Sequence, residues 1–328
     1  MESNVLIGQG QFDWLAGGNS AITRKILNPL MDWKSYHLEH EIQFLYLTKP
    51  YDTEFCVSFS ANKIIGALFT YYIINNLISA EDLAWLKDPV VNGVHYPSYL
   101  LNGFINFNER FTAINGQTSA HGAYQYLVAN GIHNCGLIPQ PMFPYADNFN
   151  DNIDAKFITQ EMKDLGKEFI KRFPINYEWV NDTSYLQYCP LQGIVEFENY
   201  VNPEDILNPT GGTNHAIEVI NKTDTYDEID DSYNQVYKRY APDKVFNLLA
   251  YNVTINNTNM DITYWLKTND LKWVRNSNTG AFARVLQGKL MTFNSTDRAV
   301  LALLDNEVRL NGITITDSEW NTLPKANF

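Results

Sequence analysis

From Val57 the chain reads as a helix that is apolar on most of its faces. Val57, Ala61, Ile64, Ile65, Leu68 and Tyr72 recur at helical spacing, and the run continues to Leu77. A helix apolar all round belongs inside a core rather than on a surface, and Cys56 falls at or just before its first turn. A second helix is predicted around residues 118 to 130. Ile158, Met162, Leu165 and Phe169 mark a third, on the surface, starting after Thr159 as N-cap. Beyond Pro174 the period shortens to that of strands: Tyr177-Glu178-Trp179-Val180, Leu191 to Phe197, Ala216-Ile217-Glu218-Val219-Ile220 and Phe246 to Ile255 are rich in β-branched and aromatic residues. Helices first and strands second predict a segregated α+β fold.

The flanks read differently. Residues 1–50 have weak periodicity and the turn formers Gly8, Gly10, Gly17 and Gly18, as expected of an irregular lead-in over a folded body. Residues 51–260 form the main domain. Residues 261–328 read as a small α/β appendage, with strands at Trp273-Val274-Arg275 and Ala281 to Phe293. There Ser295 would cap a helix ending at Leu310 before Asn311-Gly312, and Thr316-Asp317-Ser318-Glu319 fits a capping box.

With 37 acidic against 24 basic residues in 328, the net charge of −13 sets the field of the whole protein against a phosphate-tracking surface. No nucleic-acid partner is expected. No apolar run reaches the roughly 18 residues of a membrane span, so no membrane partner is expected either. Met1-Glu2-Ser3-Asn4 lacks the basic start and apolar stretch of a secretory signal. Three widely spaced cysteines, Cys56, Cys135 and Cys189, give neither a disulfide framework nor a zinc-type pair. Two ordinary buried thiols and one reactive one are the economical division.

A thiol at a helix start meets unpaired N–H groups and the positive end of the macrodipole, which favour thiolate. Cys56 is so placed, although a cysteine between Phe55 and Val57 also suits a small core position, and Asp52 and Glu54 oppose its ionisation. A thiolate nucleophile needs an imidazole base oriented by a third group. Among the six histidines, His215 opens the strand Ala216–Ile220 after the turn Pro209-Thr210-Gly211-Gly212, and Asp231 follows on what would be the neighbouring strand. Singly, each also fits a structural histidine or a solvated acidic turn.

Together the three segments, in this order, resemble the papain-like cysteine peptidases. Cys56-Val57-Ser58-Phe59-Ser60-Ala61 is similar to the start of that family's cysteine-bearing helix. Thr118-Ser119-Ala120-His121-Gly122 through Gly131-Ile132, with Phe143-Pro144-Tyr145, is similar to the end of its helical lobe. Cys189-Pro190-Leu191-Gln192 resembles its Gly-Pro-Val, Asn214-His215-Ala216 its Asn-His-Ala, and Asp231-Ser232-Tyr233 its Asn-Ser-Trp. The Cys56 to His215 spacing is near the roughly 130 to 150 residues of the papain pattern. Phe107-Asn108-Glu109-Arg110-Phe111, Tyr177 to Val180, and Asp231 followed by Val236-Tyr237-Lys238-Arg239 look most like papain-like proteins encoded by tailed bacteriophages. The likeness covers about residues 40 to 256. Glu54-Phe55-Cys56-Val57 replaces the family's Gly-Ser-Cys-Trp, Asp231 stands for Asn, and Pro50 stands where the oxyanion glutamine is expected, leaving Gln43 as the nearest upstream candidate.

The resemblance implies a helical lobe with a central Cys-bearing helix and an antiparallel barrel-like lobe. It also implies peptide or amide hydrolysis by Cys56, His215 and Asp231, with Gln43 as oxyanion donor and neither cofactor nor metal. The implied partner is a polypeptide or a peptidoglycan peptide, and the location the host cytoplasm or the virion. The second reading is a virion structural or adaptor protein of the same fold, touching other virion proteins, with little or no catalysis.

Overall fold

The computed structural model describes residues 26–38, 44–45, 51–198, 202, 204–232, 236–255, 273–276, 279, 281–286, 289–293, 313–315, 321 and 325–327. The chain divides into two compact units, residues 1–75 with 80–256 and residues 76–79 with 257–328.

The larger unit is built around helix α1, Cys56–Ile74, which buries every side chain from Cys56 to Tyr72. It is long and apolar enough to cross a membrane, yet 89% of its most apolar window is enclosed by the protein, the mark of a core helix. Helices α2 (Ala80–Lys87), α3 (Glu109–Asn115), α4 (Gln125–Cys135) and α5 (Gln160–Arg172) accompany it. Thr159 caps α5 by accepting from the Met162 N–H, where the sequence predicted that helix to start. The helix expected at 118–130 is shifted: Ser119 and Gly122 close a tight turn on each other, and the helix starts only at Gln125. Neither α2 nor α3 was anticipated from the sequence. The second is capped by the Asn108 side chain, which accepts from the Phe111 N–H. Phe69 of α1 meets Phe173 edge-on at 5.0 Å and Phe169 at 5.5 Å, which seats α5 on the central helix.

Seven strands follow: β1 (Ile175–Trp179), β2 (Leu191–Val195), β3 (Ile206–Leu207), β4 (His215–Lys222), β5 (Asp227–Asp231), β6 (Val236–Tyr240) and β7 (Phe246–Val253). They form one sheet in the order β1-β7-β2-β4-β5-β6-β3, antiparallel except for β6 against β3. The fold is α+β with helices before strands. The sheet is open, however: β1 and β3 are its two edges, so the expected barrel-like closure is not met among the described residues.

Segment 26–38 is irregular apart from a 3-10 turn at Lys34–Tyr36, and it is pinned to the body. The Trp33 N–H donates to the Ile220 carbonyl of β4 at 2.7 Å, and its indole N–H to the Leu186 carbonyl at 2.7 Å.

In the smaller unit β8 (Trp273–Asn276), β9 (Phe282–Leu286), β10 (Lys289–Phe293), β11 (Ile313–Ile315) and β12 (Lys325–Asn327) form a sheet in the order β11-β8-β9-β10-β12. The run expected as a single strand from Ala281 to Phe293 is a hairpin. The helix expected from Ser295 to Leu310 and the capping box at Thr316 lie outside the described residues.

Candidate active site

Cys56 is the first residue of α1, with Phe55 as N-cap. The Ser58 and Phe59 N–H groups both donate to the Phe55 carbonyl, which closes the first turn behind the cysteine. No side chain caps this end, and the leading amides of a helix have no acceptor within it, so positive potential is concentrated at the thiol. Glu54 approaches the helix with φ of 59°, a left-handed backbone that costs a non-glycine residue about 1–2 kcal/mol. The Asp52 carboxylate accepts from the Glu54 N–H at 2.8 Å and so shapes this turn. Polar side chains lock the start of the helix to the sheet. Gln192 of β2 donates through one amide nitrogen to the Val57 carbonyl and to the Ser60 hydroxyl, both at 2.8 Å, and Ser60 donates to the Cys56 carbonyl.

His215 begins β4 and reaches both of the other expected residues. Its Nε2–H donates to Asp231 Oδ1 at 2.9 Å, and its ring is hydrogen-bonded with Cys56. Phe197 meets the imidazole edge-on at 5.2 Å. The structure thus brings Cys56, His215 and Asp231 into one contiguous chain, all buried, with Cys56 at 0% exposure. Gln43 and Pro50 lie outside the described residues.

The electrostatics are those of a held ion pair. Burial disfavours a charge on His215, but the Asp231 carboxylate and, after it, Cys56 outweigh that and push its pKa up to about 10. Burial likewise opposes the Asp231 charge, and His215 and Lys238 overcome it, holding the carboxyl well below its ordinary range.

Lys238 is a member of the site that the sequence did not single out. Its ammonium is buried, donates to Asp231 Oδ2 and to the Glu198 carbonyl, and lies 4.6 Å from the Phe197 ring centroid. The aspartate therefore carries an imidazole on one oxygen and an ammonium on the other. The available signal was a lysine at the centre of a short strand, one hairpin turn from Asp231. Cys135 is half-buried and Cys189 buried, and neither is in a disulfide.

No protein-family model matches the chain. No curated protein matches it. Among solved structures, the chain is similar to the Carica candamarcensis cysteine protease CMS1MS2, determined in complex with E-64, with 14% identity over 69% of this chain and 97% of that one and a TM-score of 0.39. It is also similar to a structure from work on antibody cross-reactivity between the mite allergens Blo t 1 and Der p 1, with 12% identity over 74% of this chain and 73% of that one and a TM-score of 0.31.

Proposed function

We propose that the chain is a papain-like cysteine hydrolase that cuts a peptide or amide bond, encoded by a bacteriophage and acting in the host cytoplasm or the virion. The observation that carries the reading is His215, hydrogen-bonded on one side with a cysteine at a helix N-terminus and on the other with an ionised aspartate. The thiolate would attack the carbonyl carbon while the Cys56 N–H, with Gln43 as second donor, takes the developing oxyanion. The His215 imidazolium would pass its proton to the leaving nitrogen, and water activated by the same ring would hydrolyse the thioester. Asp231 holds the imidazole in orientation and stabilises its charge throughout. The substrate would be a polypeptide or a peptidoglycan peptide.

Alkylation with iodoacetamide at mildly acidic pH tests this. Cys56 is expected to label ahead of Cys135 and Cys189, and His215→Gln to slow it by at least about tenfold. Equal labelling of all three thiols, or no effect of the His215 change, would sink the reading.

The complete burial of Cys56 favours a second reading, a virion structural or adaptor protein that keeps the constellation without turnover. A fixed copy number in purified particles together with no turnover on peptide or cell-wall substrates would decide for it.

A further inference from the structure

Two turns along α1 from Cys56, a second set of buried polar groups gathers on the sheet. Glu218 of β4 and Asp230 of β5 stand directly opposite one another in the antiparallel register, and His37 of the pinned segment 26–38 faces them. One ligand atom from each of the three lies within 4.8 Å of the others, and all three residues are buried. Asp230 and Asp231 are consecutive on β5, so their side chains leave opposite faces of the strand, and this cluster is separate from the His215 site.

Two observations point to a ligand. Glu218 is 1% exposed, and both of its carboxylate oxygens lack a hydrogen-bond partner among the described residues. Folded proteins rarely leave a buried acid that way, because its desolvation is then uncompensated. The second observation is the orientation of His37. Its Nδ1 lies 3.1 Å from the Lys34 carbonyl, which makes Nδ1 an N–H donor, and its Nε2 is on the side of the acids, 3.7 Å from Asp230 Oδ2. The Tyr237 hydroxyl lies 3.3 Å from the same Nε2, a contact that an incoming ion would displace. A histidine whose other nitrogen is held by a backbone carbonyl is the usual state of a metal ligand.

We propose that His37 Nε2, Glu218 and Asp230 form a binding site for one divalent cation of the zinc type. One imidazole nitrogen and two carboxylates suit zinc, which accepts mixed N and O donors at low coordination number with a water completing the set. Calcium asks for six to eight oxygens, and magnesium for an octahedron rich in water, which three buried side chains do not supply. Lys63 pairs with Asp230 Oδ2 and neutralises one of the two acids in advance, which keeps the affinity modest. The ion would tie segment 26–38 to β4 and β5, so its binding is linked to folding.

The test uses the full chain carrying Cys56→Ala, so that the thiol cannot ligate, stripped with EDTA and titrated with zinc chloride by calorimetry alongside thermal melting. The expected result is one zinc ion per chain with a rise in Tm, and binding weaker by at least about tenfold in Glu218→Gln and in His37→Gln. Glu218→Gln preserves shape and removes only the charge, and its metal-free melting transition reports whether it folds. If it does not fold, His37→Gln decides alone. Absence of saturable binding up to about 1 mM zinc, or unchanged affinity in the folded variants, overturns the proposal.

Discussion

Asp231 receives hydrogen bonds from both sides, from the His215 ring on Oδ1 and the Lys238 ammonium on Oδ2. Removing one partner of such a buried set leaves the remaining charge only partly compensated. Lys238→Met is therefore expected to cost about 3–5 kcal/mol in urea unfolding. The double change Asp231→Asn with Lys238→Met should recover part of that loss, because it removes both charges together. A Lys238→Met protein within about 0.5 kcal/mol of the parent would show that the pair contributes little. The pH dependence follows from the same contacts. The folded pKa of His215 stands near 10, above its ordinary 6.5, so the stability it contributes is complete below about 6.5 and is lost as pH rises through about 10. The urea midpoint should fall over that interval in the parent and fall less in His215→Gln. Equal slopes in the two proteins would refute the ion pair. Asp231 acts in the opposite sense, its contribution present above the ordinary carboxylate range and lost on acidification. The placement of Cys56 at a helix start and of His215 at a strand start was legible, because each is the first residue of a run whose apolar pattern the sequence displays. Lys63 and Lys238 were not, because a buried lysine is recognised only from its partner, and the partners are distant in sequence or on a neighbouring strand.

Among the elements, α1 was legible from its apolar run and α5 from its amphipathic spacing and Thr159 cap. The elements missed are short or set by local turn chemistry. The hairpins at Val90–His95 and Leu100–Ile105 turn on Asn92-Gly93 and Asn102-Gly103, with all four turn residues at positive φ, an Asn-Gly signal the sequence displays openly. The junction of α4 and α5 depends on glycine in a way no periodicity reveals. Gly136 ends α4 at φ 72°, and a Cβ there would stand 1.8 Å from the Gly166 carbonyl oxygen of α5. A Cβ on Gly166 would in turn meet the Cys135 carbonyl oxygen at 2.3 Å. Gly166→Ala must force the two helices apart, and a destabilisation of about 1–3 kcal/mol is expected from thermal or urea unfolding. A variant as stable as the parent would mean that the helices separate at no cost.

For the whole molecule, the sequence indicated the class of fold but not how its sheet would end. Alternation says which face of a strand is buried, and nothing in it says whether β1 and β3 meet. A feature of the larger unit as a whole also governs how Cys56 can be observed. Since the sulfur has no solvent exposure, a reagent meets it only during excursions away from this conformation. At high iodoacetamide concentration the labelling rate of Cys56 should therefore stop rising and level off. A rate that stays proportional to reagent would show a thiol permanently within reach. The height of the plateau is the frequency with which the fold uncovers this sulfur, and on the proposed hydrolase reading any substrate would meet the same ceiling on turnover.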